Sequence, residues 1–320
     1  MCPDAFTETA AVVMDNGTGY TKAGFAGDDK PRVVVRSLVG IPNQGCDEPG
    51  KGPDYYVGSA IPGDPWVLRA PVVTNGIVTD WDALEMLWHH IFYQELRVAP
   101  EEHAVLLSDA PLSPTTNREK AAELLFEGFA VPAMYVAHQS LLSLYSTGRT
   151  TGLIIESGLG VSYTAPIHNG YTMPHATFRL DLAGGGLTEY MAKLLEECGN
   201  PFSAEEMHPD AVGLTDPGLH ALAWRSLDKC GAERRAELLG NIVLSGGSSM
   251  FPGFAERVQR EMGALAPGRA KLNVYASPQR KFSVWIGGSI TACLNTFQSM
   301  WVSRRDYDDK GPVVVHRKCF

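Results

Sequence analysis

The residues of this chain that could do chemistry include two acids, Asp15 and Glu156, which each follow an apolar run and precede a turn containing glycine. The first segment reads VVMDNGTGY (12–20) and the second reads LIIESGLGVSY (153–163). Glycine lets the backbone approach a ligand closely, and successive backbone N–H groups in such a turn attract anions. A carboxylate at the end of the preceding strand can hold a hydrated Mg²⁺. These residue types therefore indicate a site for a phosphate group and its metal ion.

The simplest alternative for either segment is a hairpin that binds nothing. Asn-Gly is the commonest short hairpin signal, because a type I′ turn needs left-handed backbone at both central residues. Two segments with one pattern, however, predict two similar domains whose turns hold an anion from both sides. A third segment, NIVLSGGSSMFPGF (241–254), places glycines between a strand and a helix start, as nucleotide-binding loops do. Together the three segments favour a phosphate site in a cleft between duplicated α/β domains.

Composition narrows the class of protein. The 320 residues carry a net charge of −9, so we expect no nucleic-acid partner and no binding to anionic membranes through bulk charge. No apolar run reaches the length of a membrane span, and the N-terminus, MCPDAFTETA, does not resemble a signal peptide. Six cysteines without a CxxC pair favour a reducing compartment over a disulfide scaffold or a zinc site. We therefore expect a cytoplasmic protein.

The elements that must position these segments alternate between strands and helices, which predicts an α/β fold. Helices are predicted within 79–96 and 113–132, and residues 181–200 are predicted to form an extended segment, a glycine turn and a third helix. A capping box from Thr116 to Glu119 is expected in the second of them. Two apolar stripes are expected in the core, one with Trp88 and Phe92 and one with Leu187, Met191, Leu194 and Leu195. Residues 41–65 are rich in Gly, Pro and Asp, so an exposed loop is predicted there.

Long blocks of the chain resemble the actin family. They include DNGTGYTKAGFAGDDKPR (15–32), DLAGGGLTEY (181–190) and SPQRKFSVWIGGSI (277–290). The resemblance implies the actin/Hsp70/hexokinase fold, a duplicated RNase H-like α/β fold with an interdomain nucleotide cleft. It places subdomains 1 and 2 in residues 1–146 and 283–320, with subdomain 2 at about 37–71. Subdomain 3 falls in 147–282, with a truncated remnant of subdomain 4 at about 183–214.

The resemblance also implies a cofactor, ATP or ADP with Mg²⁺, and the residues that contact it. Those positions are Gly17, Thr18, Gly19, Tyr20, Lys22, Gly158, Leu159, Gly160, Gly184, Gly246, Gly247, Ser248, Met250, Phe251 and Lys281. By the same resemblance Asp15 lies near the metal and holds it through water, and Glu156 takes the second acidic position. Gln139 falls where the family positions the attacking water.

Three departures from the family pattern surround this site. Glu156 stands where the family has Asp, and Mg²⁺ tolerates little change in its octahedral shell. Leu159 also replaces an Asp, which removes a polar contact near the ribose. Tyr163 replaces a His that helps to orient water, and arranging water is most of the catalysis of phosphoryl transfer to water. These changes predict little hydrolysis.

Further departures concern the length of the chain and its contacts in a filament. After residues 194–203 the chain passes directly to 204–218, so most of subdomain 4 is predicted to be deleted, unless a splice or gene-model error produces the gap. By the resemblance, the missing part includes groups that hold the adenosine, so weak nucleotide binding is expected. The loop at 43–53 carries Asp47, Glu48 and Lys51, and the plug segment at 208–219 carries Asp210 and Ala211. Burying unpaired charges is costly, so these changes predict poor polymerisation.

One surface favours partners instead. Tyr145, Leu294, Phe297 and Met300 are apolar at the groove where the family receives amphipathic helices. The alternative is that these residues are simply core. If the groove is retained, the expected partners are actin or actin-like subunits and proteins of the actin-binding type.

The sequence thus favours an actin-like cytoskeletal or scaffold protein of the cytoplasm, with structural nucleotide and a degenerate ATPase site. One alternative is a slow ATPase that assembles with or caps actin-type filaments. A sugar- or glycerol-kinase-type enzyme on the same fold is a more distant alternative, because fold does not fix function. Divergent chains of this kind also resemble germ-line actin-like proteins, which suggests a role in the sperm head.

Overall fold

The computed structural model describes residues 9–43, 53–199, 218–268 and 270–319. The chain forms two compact units. The first unit comprises Met1–Leu142 and Val284–Phe320, and the second comprises Ser143–Ser283. The assignment of subdomains within each unit stays a prediction. The charged residues at 47, 48, 51, 210 and 211 lie outside the described residues.

The strands are β1 (Val12–Asn16), β2 (Tyr20–Phe25), β3 (Val33–Arg36), β4 (Leu38–Pro42), β5 (Tyr56–Val57), β6 (Val67–Pro71), β7 (Val73–Thr74), β8 (Ile77–Val78), β9 (Val105–Asp109), β10 (Ala133–His138), β11 (Gly152–Ser157), β12 (Ser162–His168), β13 (Tyr171–Thr172), β14 (Phe178–Leu180), β15 (Ile242–Ser245), β16 (Val274–Tyr275) and β17 (Val302–Ser303). The α-helices are α1 (Trp81–His89), α2 (Thr115–Glu123), α3 (Gln139–Tyr145), α4 (Gly184–Glu197), α5 (Leu219–Lys229), α6 (Ala232–Leu239), α7 (Phe254–Leu265), α8 (Ser283–Cys293), α9 (Arg304–Lys310) and α10 (Val315–Lys318). The wider π-helical segments His90–Leu96 and Leu124–Gly128 continue α1 and α2. Short 3₁₀ turns lie at Gly58–Ala60, Pro100–Glu102, Pro174–Ala176, Gly247–Met250, Arg280–Phe282, Asn295–Met300 and Pro312–Val314.

The main sheet of the first unit has the strand order β17-β10-β9-β1-β2-β3. β1 pairs antiparallel with β2 and parallel with β9, and β9 pairs parallel with β10. Strand β1 is buried along its whole length, as expected for a strand covered on both faces. The largest buried side chains around it include Trp88, Phe92 and Trp285, and the Trp285 indole donates to the carbonyl of Val13 over 3.0 Å.

The sheet of the second unit has the order β13-β12-β11-β15-β16, and β14 pairs with β12. β11 pairs antiparallel with β12 and parallel with β15, and β15 pairs parallel with β16. Leu153, Ile155 and Leu244 of this sheet share a core with Leu227 of α5 and Met262 of α7.

The two sheets repeat one pattern, since each begins with an antiparallel hairpin whose first strand pairs parallel with a later strand. The first hairpin closes at the pair Asn16 and Thr21, and the second closes at Ser157 and Ser162. Both pairs enclose a turn of four residues. The predicted duplication of the hairpin and the predicted α/β fold are confirmed.

The helix predictions succeed in part. The pattern at 79–96 becomes α1 and its π-helical continuation, with Trp88 and Phe92 buried. The Asp80 side chain caps α1 by accepting from the Ala83 amide. The capping box at Thr116 is wrong, because α2 begins at Thr115 after Pro114, which makes no side-chain cap. The first turn closes on the backbone instead, since the Asn117 amide donates to the Pro114 carbonyl over 3.0 Å.

The stripe predicted to lie in the core on the third helix is wrong for three of its four residues. In α4, Leu187, Met191 and Leu195 are exposed, and Leu194 is partly buried. The side of α4 that is covered by protein carries Ala192 instead. Helical periodicity identifies a face but not which neighbour covers it.

A small sheet with the order β5-β4-β6 belongs to the first unit. Part of this sheet falls within residues 41–65, the stretch predicted to be an exposed loop. Residues 44–52 of that stretch lie outside the described residues. Trp66 precedes β6 and Leu68 lies within it, and both side chains are more than half exposed.

Candidate functional site

The first glycine turn, residues 17–20, is held by contacts to its own unit. The Gly17 amide donates to the Tyr20 carbonyl over 3.2 Å, and Ser37 Oγ donates to the Gly17 carbonyl over 2.6 Å. Thr18 Oγ1 accepts from the Gly76 amide at 2.8 Å, and the Gly19 carbonyl accepts from the Ser37 amide at 3.1 Å. The turn is therefore anchored through its carbonyls and the Thr18 hydroxyl.

The carboxylate of Asp15 is the centre of a buried polar cluster in the first unit. Lys22 Nζ lies 2.9 Å from its Oδ2, across the register of the hairpin. Ser108 Oγ donates to Oδ1 over 2.6 Å, and Gln139 Nε2 lies 3.3 Å from the same oxygen. The structure thus brings together three predicted site residues and adds Ser108, which the sequence analysis missed.

A second polar cluster lies directly beside the first. Asp109 follows Ser108 and His138 precedes Gln139, and the two are register partners on β9 and β10. The Arg118 guanidinium bonds both of them, at 2.7 Å to Asp109 Oδ2 and at 3.1 Å to His138 Nε2. It also donates to the carbonyl of Cys319 over 2.8 Å, which ties the chain after α10 to this sheet.

Burial shifts the pKa values of two groups at this second cluster, His138 and Cys319. Burial first, and then the Arg118 charge, lower the pKa of His138, against the opposing effect of Asp109. Burial raises the pKa of the Cys319 thiol to about 11, so the thiol stays protonated at neutral pH. His138 is accordingly neutral at pH 7.

The second glycine turn, residues 158–161, contains the same backbone hydrogen bond across the turn as the first. The Gly158 amide donates to the Val161 carbonyl over 3.1 Å. The Gly158 carbonyl accepts from Ser248 Oγ at 2.6 Å and from the Gly184 amide at 3.0 Å. The next amide, that of Gly185, donates to the Leu159 carbonyl over 2.7 Å. These bonds bring together four predicted site residues, Gly158, Leu159, Gly184 and Ser248.

Two of the predicted glycines are required by the space around them. Gly246 has φ +90°, and a Cβ on it would lie 2.2 Å from the Ser157 carbonyl oxygen. A Cβ on Gly184 would lie 2.5 Å from Ser248 Oγ. By contrast, a Cβ on Gly247 meets nothing within 4 Å. The Gly246 position therefore holds the strand end close to the second turn.

The remaining predicted contacts of the second unit lie near Gly246. The Gly246 amide donates to the carbonyl of Arg280, whose guanidinium bonds the Ser249 carbonyl at 2.8 Å. Lys281 is exposed, with Nζ 4.8 Å from the centre of the Phe282 ring. The other predicted residues of this unit are the partly buried Met250 and Gly160 and the exposed Phe251.

Glu156 has different surroundings from Asp15. Its carboxylate is buried and accepts from Ser143 Oγ at 3.3 Å, and Ser143 Oγ lies 2.9 Å from Ser245 Oγ. Opposite Glu156 in the hairpin register stands Tyr163, which is almost fully buried, where the first hairpin has Lys22. The second hairpin thus has no cation at the position that pairs with its acid.

Sequence reasoning missed three serines of these clusters, Ser108, Ser143 and Ser245. Ser108 and Ser245 share one signal, a serine near the end of an apolar strand parallel to the hairpin. That signal becomes specific only when the strand register is known, because one serine after an apolar run is common.

The donor set of the first unit fits a phosphate anion with a hydrated metal. A glycine turn lies beside a lysine, since a Cβ on Gly17 would be 3.2 Å from Lys22 Nζ. Such turns and cations suit phosphate oxygens. Within the described residues no three His, Cys, Asp or Glu side chains gather as a metal centre. A Mg²⁺ ion would therefore depend on water and phosphate for most of its ligands, with Asp15 oriented by Ser108.

The predicted partner groove stays a prediction, and the structure gives only the burial of its residues within their own units. Phe297 is buried, with its ring centre 4.8 Å from that of Tyr135 and 5.2 Å from that of Trp301. Phe297 is thus a core residue, as the alternative had it. Leu294 is nearly half exposed, and Met300 packs against the core of the first unit. Tyr145, in the second unit, is partly buried.

Among the helices of the described residues, none combines the length and the apolar character needed to cross a membrane. The protein-family model described as "Actin" matches residues 6–209 and 200–320. The chain is 40% identical to "Actin-like protein 9" of Bos taurus over 369 aligned positions, which cover 98% of this chain and 89% of that protein. It is 38% identical to "Actin-like protein 9" of Homo sapiens with the same coverage. Both the matched length and the identity lead to one conclusion: the chain belongs to the actin family.

Proposed function

We propose that this chain is an actin-like scaffold protein of the cytoskeleton that binds ATP or ADP with Mg²⁺ weakly, hydrolyses it little and polymerises poorly. The observation that carries the proposal is the unequal chemistry of the two hairpins. Asp15 is paired with Lys22 and fixed by Ser108. Glu156 is buried opposite Tyr163 and engaged by Ser143. Nucleotide binding needs the first set of groups, whereas fast hydrolysis needs correctly placed groups in both.

The length of the alignment supports weak binding. The 369 aligned positions exceed the 320 residues of this chain by 49, so at least that many positions of the relatives have no counterpart here. The two stretches matched by the family model meet at 200–209, where the sequence predicts the deletion in subdomain 4. Loss of that segment would remove part of the nucleotide's surroundings.

Poor polymerisation rests on the charges at Asp47, Glu48, Lys51 and Asp210. A filament contact would have to desolvate them, which costs several kcal/mol for an unpaired charge. Partners of the actin or actin-binding type would then use surfaces such as exposed Leu294. The relatives share the name actin-like protein, which agrees with an actin-like role. A role in the germ line is proposed from the resemblance of the sequence alone.

A second candidate function is a slow ATPase that assembles with or caps actin-type filaments. The intact cluster of Asp15, Lys22, Ser108 and Gln139 favours it. Gln139 is held within reach of Asp15 by Ser108, which supports a water-positioning role for its side chain. The two candidates differ in turnover and in assembly.

Turnover is tested with the purified full chain. Acid extraction of the isolated protein measures bound adenine nucleotide, and phosphate release from added ATP with Mg²⁺ measures hydrolysis. We expect sub-stoichiometric nucleotide and release close to that of a Gln139→Ala variant, which serves as the matched control. Release well above that control would instead support the slow ATPase.

Assembly is tested by high-speed sedimentation in salt that polymerises conventional actin. We expect the chain to stay in the supernatant when alone. Pelleting of the chain alone would contradict the scaffold proposal. Pelleting only in the presence of conventional actin would support the second candidate.

A further inference from the structure

The Arg118 guanidinium connects Cys319, which follows α10, to the sheet of the first unit. Its Nε donates to Asp109 Oδ2 over 2.7 Å, and its Nη2 lies 3.1 Å from His138 Nε2. Its Nη1 donates to the Cys319 carbonyl over 2.8 Å. Cys319 is 2% exposed, and its Sγ accepts from the Val136 amide at 3.4 Å. The position of one guanidinium therefore affects both the end of β10 and the end of α10.

The bond between Arg118 and His138 exists for only one protonation state of the imidazole. A guanidinium has N–H donors and no acceptor, so His138 Nε2 must be unprotonated to receive this bond. A proton on Nε2 would place a donor against a donor and a cation against a cation. The charges that act on His138 are those of Arg118 on α2 and Asp109 on β9. Protonation would thus leave two cations competing for the one Asp109 carboxylate.

A polar space lies beside Arg118, into which the guanidinium can move. A cavity of about 40 Å³ lies between α1, α2 and β9, and Arg118 and Asp109 both line it. Ser113 and Asn117 add polar groups to its wall. Such a volume can hold about two or three waters, since each needs about 10–15 Å³. A guanidinium displaced from His138 could therefore be solvated there.

Other charged groups at the end of α10 are engaged in contacts that acid does not weaken in the same way. Lys318 Nζ bonds Asp306 Oδ2 over 2.7 Å. His316 Nε2 lies 2.6 Å from Glu119 Oε1, and a proton on His316 would strengthen this pair. These contacts keep α10 in place, so protonation of His138 would free the chain after the helix rather than the helix itself.

We propose that the contact between Arg118 and His138 is a pH-sensitive latch for Cys319. At neutral pH His138 accepts from Arg118, and Arg118 holds the Cys319 carbonyl. When His138 takes up a proton, Arg118 moves toward the cavity, the Cys319 carbonyl loses its donor and the buried thiol becomes accessible. The proposal does not depend on nucleotide binding.

The titration of His138 has the direction that a latch of this kind requires. Burial first, and then the Arg118 charge, lower the pKa of His138 while the latch is closed. Release restores the ordinary pKa of about 6.5, so a fall in pH favours the open form. A released imidazole is about nine-tenths protonated at about pH 5.5, which limits the shift toward the open form to about tenfold.

The test measures the accessibility of the Cys319 thiol in the full chain. Dithiodipyridine labels the thiols, and peptide mass spectrometry gives the labelling rate of each cysteine separately. The rate of Cys319 is divided by the rate of exposed Cys198, which corrects for the pH dependence of the reagent. We expect this ratio to rise about five- to tenfold in the wild type between about pH 7.5 and about pH 5.5. Circular dichroism at both pH values checks that the fold is intact.

Two matched variants assign the effect to one imidazole. His138→Gln keeps an acceptor for Arg118 and takes up no proton, so its ratio should change less than about twofold over the same interval. His316→Gln removes the imidazole that pairs with Glu119 and should keep the full rise.

Four outcomes would overturn the proposal. A constant ratio in the wild type would show that Arg118 keeps the Cys319 carbonyl after acid is added. An equal rise in His138→Gln and the wild type would assign the release to other groups. Loss of the rise in His316→Gln would place the switch at the pair with Glu119. A rise that coincides with loss of the circular dichroism signal would reduce the effect to unfolding of the unit.

Discussion

Ser108 Oγ donates to Asp15 Oδ1 over 2.6 Å, so a serine from the parallel neighbour of the hairpin fixes the acid that ends strand β1. The second unit places Ser245 in register with Glu156, and Ser143 bridges the two side chains. Both acids are thus held from the adjacent parallel strand, the first directly and the second through one more hydroxyl.

Replacement of Ser108 by Ala should destabilise the first unit. Ser108 is buried and its hydroxyl donates the shortest hydrogen bond to the Asp15 carboxylate, so its loss leaves Oδ1 with only the 3.3 Å contact from Gln139. We expect a loss of about 1–3 kcal/mol in the free energy of unfolding, measured by urea denaturation. Ser108→Thr keeps the hydroxyl and is the control. Equal stability of Ser108→Ala and wild type would mean that the serine does not hold the carboxylate.

Lys22 and Asp15 should behave as a coupled pair. Lys22→Met leaves the buried Asp15 carboxylate without its cation, at a cost of about 3 kcal/mol. The double variant Asp15→Asn with Lys22→Met removes both charges and should recover most of this loss. Urea unfolding of the two single variants and the double variant gives the coupling energy. Additive losses would contradict the pairing.

Gly246 and Gly247 are adjacent but should respond differently to Ala. A Cβ on Gly246 would overlap the Ser157 carbonyl, and its φ of +90° is unfavourable for any other residue. We expect Gly246→Ala to lose more than about 3 kcal/mol or to fail to fold. Gly247→Ala meets open space and should stay within about 0.5 kcal/mol of wild type. Thermal unfolding compares the two, and equal effects would contradict the described turn.

The stability of the first unit should fall as the pH drops from 7.5 to 5.5, an interval of about one unit on each side of the ordinary His value. Burial and Arg118 lower the pKa of His138 in the folded state. The unfolded chain therefore takes up a proton as the pH falls through that ordinary value, while the folded chain does not, and unfolding is favoured. In His138→Leu the melting temperature should depend less on pH over this interval. An identical pH dependence in both proteins would assign the effect to other groups.

Much of the fold follows from the sequence because the informative features are local. The β-branched runs, the acid after each run and the glycines in each turn all lie within about ten residues. They predicted both hairpins and their duplication, and the alternation of strands and helices predicted the α/β fold. Gly246 was predicted as a site residue because it is a glycine between a strand and a helix start. The structure adds why only glycine fits there, since the Ser157 carbonyl leaves no room for a side chain.

The serines and the exposure of the apolar stripe on α4 could not be predicted because they depend on distant parts of the chain. Ser108 reaches Asp15 only through the parallel pairing of β1 with β9, which are 93 residues apart at this contact. Leu187 and Met191 have the spacing of a core stripe, yet whether a stripe is covered depends on which chain lies next to it. The periodicity correctly identified one face of the helix, but it could not show that this face is left exposed.

Strand β6 has a consequence for how this protein behaves at high concentration. In the described residues β6 pairs with β4 and forms one border of its sheet, with Leu68 pointing into solvent and Trp66 just before it. An edge strand of this kind can pair with strands of other molecules, which extends the sheet into an aggregate. Pro65 and Pro71 stand at the two ends of the strand, and exposed Arg69 lies between them. These residues limit sheet extension, so the Trp66 side of the molecule can remain apolar without causing precipitation.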